Sequence, residues 1–326
     1  MEIDDVDESF VEKEWIGKGR KYDWAELPAF VTNARREIMA IPQNFYQGSG
    51  LPNPNISVIE FLSKNLPHIS AELIHSKTNT WFSTNEPNIG YDILLSRSVP
   101  SGDFIKKLDA ASGQAWFDGA KSVVDHRFNN GRDRLPLWII SFWKEVARCQ
   151  GLQSLWNESI SWLDREGSRS KGKTPPELIQ QAQKLLGSVA WDSRMSFCNG
   201  MVSTPELAKF LGTYWLSDEH INMMVEELLL DLNNNPKHKV QLVSLSFVME
   251  ISRVHEKLKL SDSAKKKTWL WKFEQQVKEG DLEKLYFPLH IRQTHWVAGM
   301  IDFKRRTFSF GMRFNDHPEI EVNIVT

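Results

Sequence analysis

The chain has 326 residues, 41% of them hydrophobic and 25% charged, with a formal charge of −2. That composition suits a globular protein with a buried core, and the near-zero charge argues against the broad positive field of a dedicated nucleic-acid binder. Its two cysteines, Cys149 and Cys198, do not make a secreted disulfide scaffold and point to a reducing compartment. The acidic start MEIDDVDESFVEKE has no apolar stretch of the signal-peptide kind, and no apolar run is long enough to span a membrane. The expectation is an intracellular protein of nucleus or cytoplasm, with no membrane partner and no specific nucleic acid. Most of its thirteen tryptophans are expected to anchor cores.

In chain order, residues 1–22 are charged and without period. A helix is predicted from Trp24 to about Met39, ended by the Pro, Gly and Asn of IPQNFYQGSGLPNPN. SVIEFLSKNL (57–66) reads as an amphipathic helix with Val58, Phe61, Leu62 and Leu66 on one face. YDILLS (91–96) reads as a short buried strand, and Phe104–Val124 and Leu137–Leu163 as helices. REGSRSKGKTPPE (165–177) has the composition of a linker. The predicted organisation is therefore a mostly helical region at 1–165, a linker at 166–177 and a second domain at 178–326.

ELIQQAQKLLGSV follows Pro175 and Pro176, a start compatible with a helix. Past it, SLSFVME (244–250) reads as a strand or short buried segment and KKKTWLWKFEQQVKEG (265–280) as an amphipathic helix closed by Gly280. LYFPLHI (285–291) is an apolar strand whose central proline favours an edge or a strand end. WVAGMIDF and TFSF flank Lys304, Arg305 and Arg306 and form a hairpin. The fold class is α+β.

Two segments carry chemistry. In LEKLYFPLHIRQTHWVAGMIDFKRRTF (282–308), an apolar strand with Pro288 leads through Gln293 to His295 and Trp296, then to Gly299, Ile301, Asp302, the basic triplet and Thr307. In YWLSDEHINMMVEELL (214–229), Trp215, Leu216, Ser217 and Asp218 precede a helix with Ile221, Val225 and Leu228 on one face, capped by Ser217 or Asp218. Each alone reads as a packed strand or a capped helix. Together, and in this order, they resemble the catalytic domain of the ubiquitin-like-protein proteases, the Ulp/SENP cysteine peptidases that process and deconjugate SUMO. The resemblance covers about residues 203–311.

The resemblance implies a partial papain-like cysteine peptidase domain with His295 as its histidine. Trp215 and Trp296 would form the slot that admits only a Gly-Gly tail, and Asp218 would lie on the surface that meets the modifier. The partner would be SUMO or another ubiquitin-like protein. No cofactor and no metal are implied, and neither HExxH nor a paired Cys-x-x-Cys occurs.

A cysteine peptidase needs a thiolate beside the imidazole, and a third group to fix the imidazole. The family's aspartate position falls on Met312, which leaves Asp316 as the candidate acid. The family's cysteine follows its histidine, whereas no cysteine follows His295 here; Cys149 and Cys198 read as small buried apolar residues. The expectation is a shortened or inactive peptidase, the alternative a non-catalytic relative that binds a ubiquitin-like modifier or another protein. Either form is expected to leave apolar strand surface exposed in the isolated 203–326 segment.

Overall fold

A computed structural model describes residues 29–72, 74, 76–169, 175–197, 200–233, 239–256, 270–291, 295–311 and 320–323. The charged tail, Trp24, residues 170–174 of the expected linker, Cys198, Gln293, Met312 and Asp316 lie outside them. The chain forms two compact units, Met1–Asp192 and Ser193–Thr326, and the described residues of each hold both helices and strands. The α+β class stands.

The first unit contains α1 (Ala29–Ile38), α2 (Gln43–Gly48), α3 (Val58–Leu62), β1 (Phe82–Ser83), α4 (Tyr91–Leu95), α5 (Gly102–Phe117), β2 (Ser122–Val124), β3 (Arg134–Pro136), α6 (Ile139–Gly167) and α7 (Pro176–Leu186). It is mostly helical, with a small antiparallel sheet in the order β1-β2-β3. The predicted α3 forms because Ser57 Oγ accepts from the Glu60 N–H at 3.2 Å, a side-chain N-cap. Its apolar stripe buries Val58 and Phe61, and Phe61 stacks on Trp191 at 3.8 Å. Burying a side chain such as Phe61 stabilises by about 1.5–3 kcal/mol. Six tryptophans (81, 116, 138, 143, 156 and 191) are buried in this unit.

Three expectations change here. YDILLS is the helix α4 rather than a strand: a short apolar run does not distinguish the two, and only Leu94 of it is buried. The helix expected to reach Val124 stops at Phe117, because Gly119 takes the left-handed φ of 90° that ends a helix, and Ser122–Val124 pairs as β2. Finally, α7 belongs to the first unit. Its Ile179 and Leu186 are buried, and Gln183 Nε2 donates to Asp164 Oδ1 at 3.1 Å. The units divide at Asp192 and Ser193, beyond the linker stretch.

In the loop joining β2 to β3, the Arg127 guanidinium grips Asp125 through Nε (3.0 Å) and Nη2 (2.6 Å). Both side chains are buried, and Nη2 also donates to the Ser98 carbonyl at 2.9 Å. At the loop tip, Gly131 has φ 71°, and a Cβ there would lie 2.8 Å from His126 Nδ1. A side chain at that position meets both backbone strain and a clash.

The second unit begins with the hairpin β4 (Arg194–Phe197) and β5 (Gly200–Ser203), then α8 (Pro205–Ala208) and α9 (Asp218–Asn233). There follow β6 (Val240–Leu242), α10 (Ser246–Glu256), α11 (Leu270–Glu279), β7 (Lys284–Ile291), β8 (His295–Asp302), β9 (Thr307–Gly311) and β10 (Ile320–Asn323). Strands β6 to β10 make one sheet in the order β10-β9-β8-β7-β6, antiparallel except for the β6–β7 pair. SLSFVME contributes the start of α10 rather than a strand, and Phe247 is its buried anchor.

Register assigns the faces. Tyr286 opposes Met300, Pro288 opposes Ala298 and His290 opposes Trp296, so these six side chains share one face. Leu285, Phe287, Leu289, Val297, Gly299 and Ile301 share the other. That second face packs on α10 and α11 through a core of Phe247, Leu285 and Phe287, with Phe273, Leu270 and Phe308 around it. Pro288 sits past the last residue that β6 pairs, Tyr286, so a missing N–H costs no ladder bond on that side. The β8–β9 hairpin turns on residues 303–306, with Arg306 at φ 56° and Asp302 Oδ1 accepting from the Arg305 N–H at 2.8 Å.

Candidate functional site

The sequence motif at 214–218 and the one at 295–296 meet in space. Trp296 Nε1 donates to the Leu216 carbonyl at 2.9 Å. The indole is half-buried on the β8 side of the sheet that faces α9, and His290 of β7 stacks flat on it at 4.0 Å with 11° between the planes. The cross-strand register brings the two rings together.

Asp218 is the first residue of α9 and is exposed; Trp215 precedes the helix and is 77% exposed. His295 opens β8, is half-buried and, by strand alternation, lies on the sheet face opposite Trp296, in line with Val297. Asp316, the candidate acid, lies outside the described residues. Cys149 is buried in α6 of the first unit, its Sγ 3.7 Å from Glu145 Oε1. Burial first, then the Glu145 carboxylate, pushes its thiol up to about 12. A thiol in that state is protonated at neutral pH and is a poor nucleophile.

The start of α9 is built differently from expectation. The N-cap is Ser217, but the group that satisfies the helix start is a histidine. His220 is fully buried, and its Nδ1 accepts the Ser217 backbone N–H at 3.1 Å, as the glutamate of a capping box would. Its Nε2 donates to the Glu206 carbonyl at 2.9 Å. Ser217 Oγ lies 2.7 Å from the same Nδ1. Ser217 Oγ donates to Glu219 Oε2 at 2.6 Å, and this bond, followed by the backbone N–H of Glu219, holds the Glu219 carboxyl below the usual range.

Beside Trp296 runs a groove of about 760 Å³ between α9 and the sheet. Ile221, Met224, Val225, Leu228 and Leu232 of α9 form one wall. Val240, Leu242, Tyr286, Pro288, Trp296 and Ala298 form the other. The predicted stripe Ile221–Val225–Leu228 is thus a groove wall rather than a closed core: Met224 and Leu228 remain 46% and 51% exposed. The groove and the contributions of Leu216, His220 and His290 went unread in the sequence. Strand alternation carries a signal for His290; Leu216 acts through its own carbonyl and the His220 ring on backbone groups of Ser217 and Glu206, which side-chain patterns do not report.

Residues 214–316 match the family model of the Ulp1 protease family, C-terminal catalytic domain. That segment is of the Ulp1 family. The resemblance read from the two motifs therefore stands, with the match extending to Asp316. Among solved structures, the chain is similar to the C-terminal Ulp1 protease domain in complex with Smt3, the yeast ortholog of SUMO. The identity is 17% and the TM-score 0.30, and the match covers 46% of this chain and 62% of that one. This chain thus spans less than two thirds of that domain. No curated protein matches the chain. Among the described residues, no helix is long and apolar enough to cross a membrane, and no group of three or more His, Cys, Asp or Glu side chains is placed to hold a metal ion.

Proposed function

We propose that the Ulp1-family segment recognises the C-terminal tail of a ubiquitin-like protein at Trp296, and that the 326-residue chain does so without hydrolysing it. The observation that carries this reading is the 2.9 Å bond from Trp296 Nε1 to the Leu216 carbonyl, which joins the segment's two motifs into one surface. His290 covers one face of the indole and the apolar groove adjoins it. A glycine pair, having no Cβ, lies closer to a fixed ring than any other dipeptide. Trp215 and Asp218, exposed at the entrance to α9, are available to the folded body of the modifier.

Peptidase chemistry at this surface needs a thiolate within hydrogen-bond reach of His295. Among the described residues the one cysteine is Cys149, buried and held protonated.

Calorimetric titration of the purified 326-residue protein with SUMO and with ubiquitin tests the binding. Truncating a tryptophan at the centre of an interface costs about 2 kcal/mol or more, so Trp296→Ala is expected to weaken binding at least about 30-fold. Equal affinity of wild type and Trp296→Ala would refute the assignment. Incubation with a tail-extended precursor is expected to give no cleavage; turnover that disappears in His295→Ala would restore the peptidase reading.

A further inference from the structure

The carbonyl that holds Trp296 and the N–H that His220 holds belong to a single peptide group. Leu216 C=O accepts from the indole at 2.9 Å, and Ser217 N–H donates to His220 Nδ1 at 3.1 Å. Among the described residues no peptide bond is cis, so these two groups point in opposite directions from one rigid plane. An imidazole on one side and an indole on the other therefore fix the rotation of that plane.

We propose that His220 is a positioning residue for Trp296, acting through the Leu216–Ser217 peptide. This deepens the reading of the Trp296 surface given above and takes its functional meaning from it.

Ser217 Oγ lies 2.7 Å from the same Nδ1, so the ring engages both the backbone and the side chain of the residue whose peptide it fixes. Without the ring the peptide plane loses one of its two anchors, and the Trp296 bond loses a fixed acceptor.

The charged groups around the ring are few. From α8, Glu206 Oε2 lies 3.5 Å from Nε2 and is itself bound by Lys209 Nζ at 2.7 Å. From the helix that bears the ring, Glu219 reaches Ser217 Oγ, and Asp218 is exposed. Phe210 meets the imidazole edge-on at 4.9 Å. These contacts and full burial hold the ring where it stands.

The test reads the indole directly, in the full chain and without any ligand, so its failure is separate from a failure of tail binding. In nitrogen–proton correlation spectra the Trp296 Nε1–H resonance is identified by its absence in Trp296→Phe. In His220→Leu, which removes the acceptor, that resonance is expected to move toward the position of a solvent-bonded indole. In His220→Asn, whose side-chain oxygen stands near the place of Nδ1, it is expected to stay. If His220→Leu does not fold, His220→Gln, whose longer side chain carries its acceptor past the Ser217 N–H, is compared with His220→Asn: movement in the first alone supports the proposal. A Trp296 resonance that stays in His220→Leu or His220→Gln, or that moves alike in His220→Asn, overturns it.

Discussion

At the scale of single residues, the state of a side chain follows from what surrounds it rather than from its type. Cys149 shows this. Sequence reads it as a small buried apolar residue rather than a nucleophile. Its position in α6 agrees: it is 1% exposed, with the Glu145 carboxylate as neighbour, and its thiol is pushed up to about 12. At pH 8 an ordinary cysteine is partly thiolate, so the ionised fraction of Cys149 is roughly a thousandfold smaller. Alkylation of the native protein at that pH is expected to leave Cys149 unmodified, and denaturation to expose it; mass spectrometry of the tryptic peptides reads the difference. Rapid labelling in the folded state would contradict the placement. The sign of the linkage is also fixed. A folded-state value above the unfolded one favours the protonated form, so stability from this group is present below about pH 9 and is lost as pH rises toward 12. Cys149→Ala is expected to flatten that part of the stability profile.

At the scale of elements, legibility depended on how much pattern an element carries. The β7–β8–β9 region was readable because eight-residue strands alternate long enough to separate two faces, and Asp302 with the basic turn marks the hairpin. YDILL and SFVME were not, because three or four apolar residues fit a buried strand and a helix equally, and only packing decides. The same strands show why one residue is glycine. A Cβ on Gly299 would lie 2.8 Å from Phe287 Cε2 and 2.9 Å from Leu289 Cδ1, with Phe287 itself wedged against Phe247 at 5.1 Å. The ring has little room to retreat into the core behind it. Gly299→Ala is therefore expected to cost about 1–3 kcal/mol, the usual penalty of an added methyl in a filled core. A lower urea midpoint with an unchanged slope is the signature in denaturation of the intact protein. A midpoint equal to wild type would show that the Phe287 ring moves freely. The Trp296–Leu216 and Ser217–His220 bonds were beyond sequence reasoning for a different cause. They use backbone groups of Leu216 and Ser217, and one of them spans 80 positions.

At the scale of the molecule, the two units differ in how well each buries its own apolar surface. The first closes its core around Trp81, Trp156, Trp191, Phe45 and Phe61, all at most 1% exposed. The second closes one face of its sheet with α10 and α11, whereas the groove under α9 keeps an opening of about 760 Å³ with apolar walls. Met224, Leu228 and Leu230 along α9 are each between 46% and 56% exposed. A groove of that size and lining falls in the range of sites that take up drug-sized apolar molecules. An environment-sensitive dye such as anilinonaphthalene sulfonate is therefore expected to bind the native protein, with fluorescence that saturates rather than rising steeply only on unfolding. Leu228→Glu places a charge on the groove wall at a position half in water, where surface substitution costs little stability. It is expected to abolish most of the dye signal while leaving the unfolding midpoint within about 0.5 kcal/mol of wild type. If native protein and Leu228→Glu bind dye equally, the apolar surface seen by the dye lies elsewhere, and the groove is closed in solution by a rearrangement of α9.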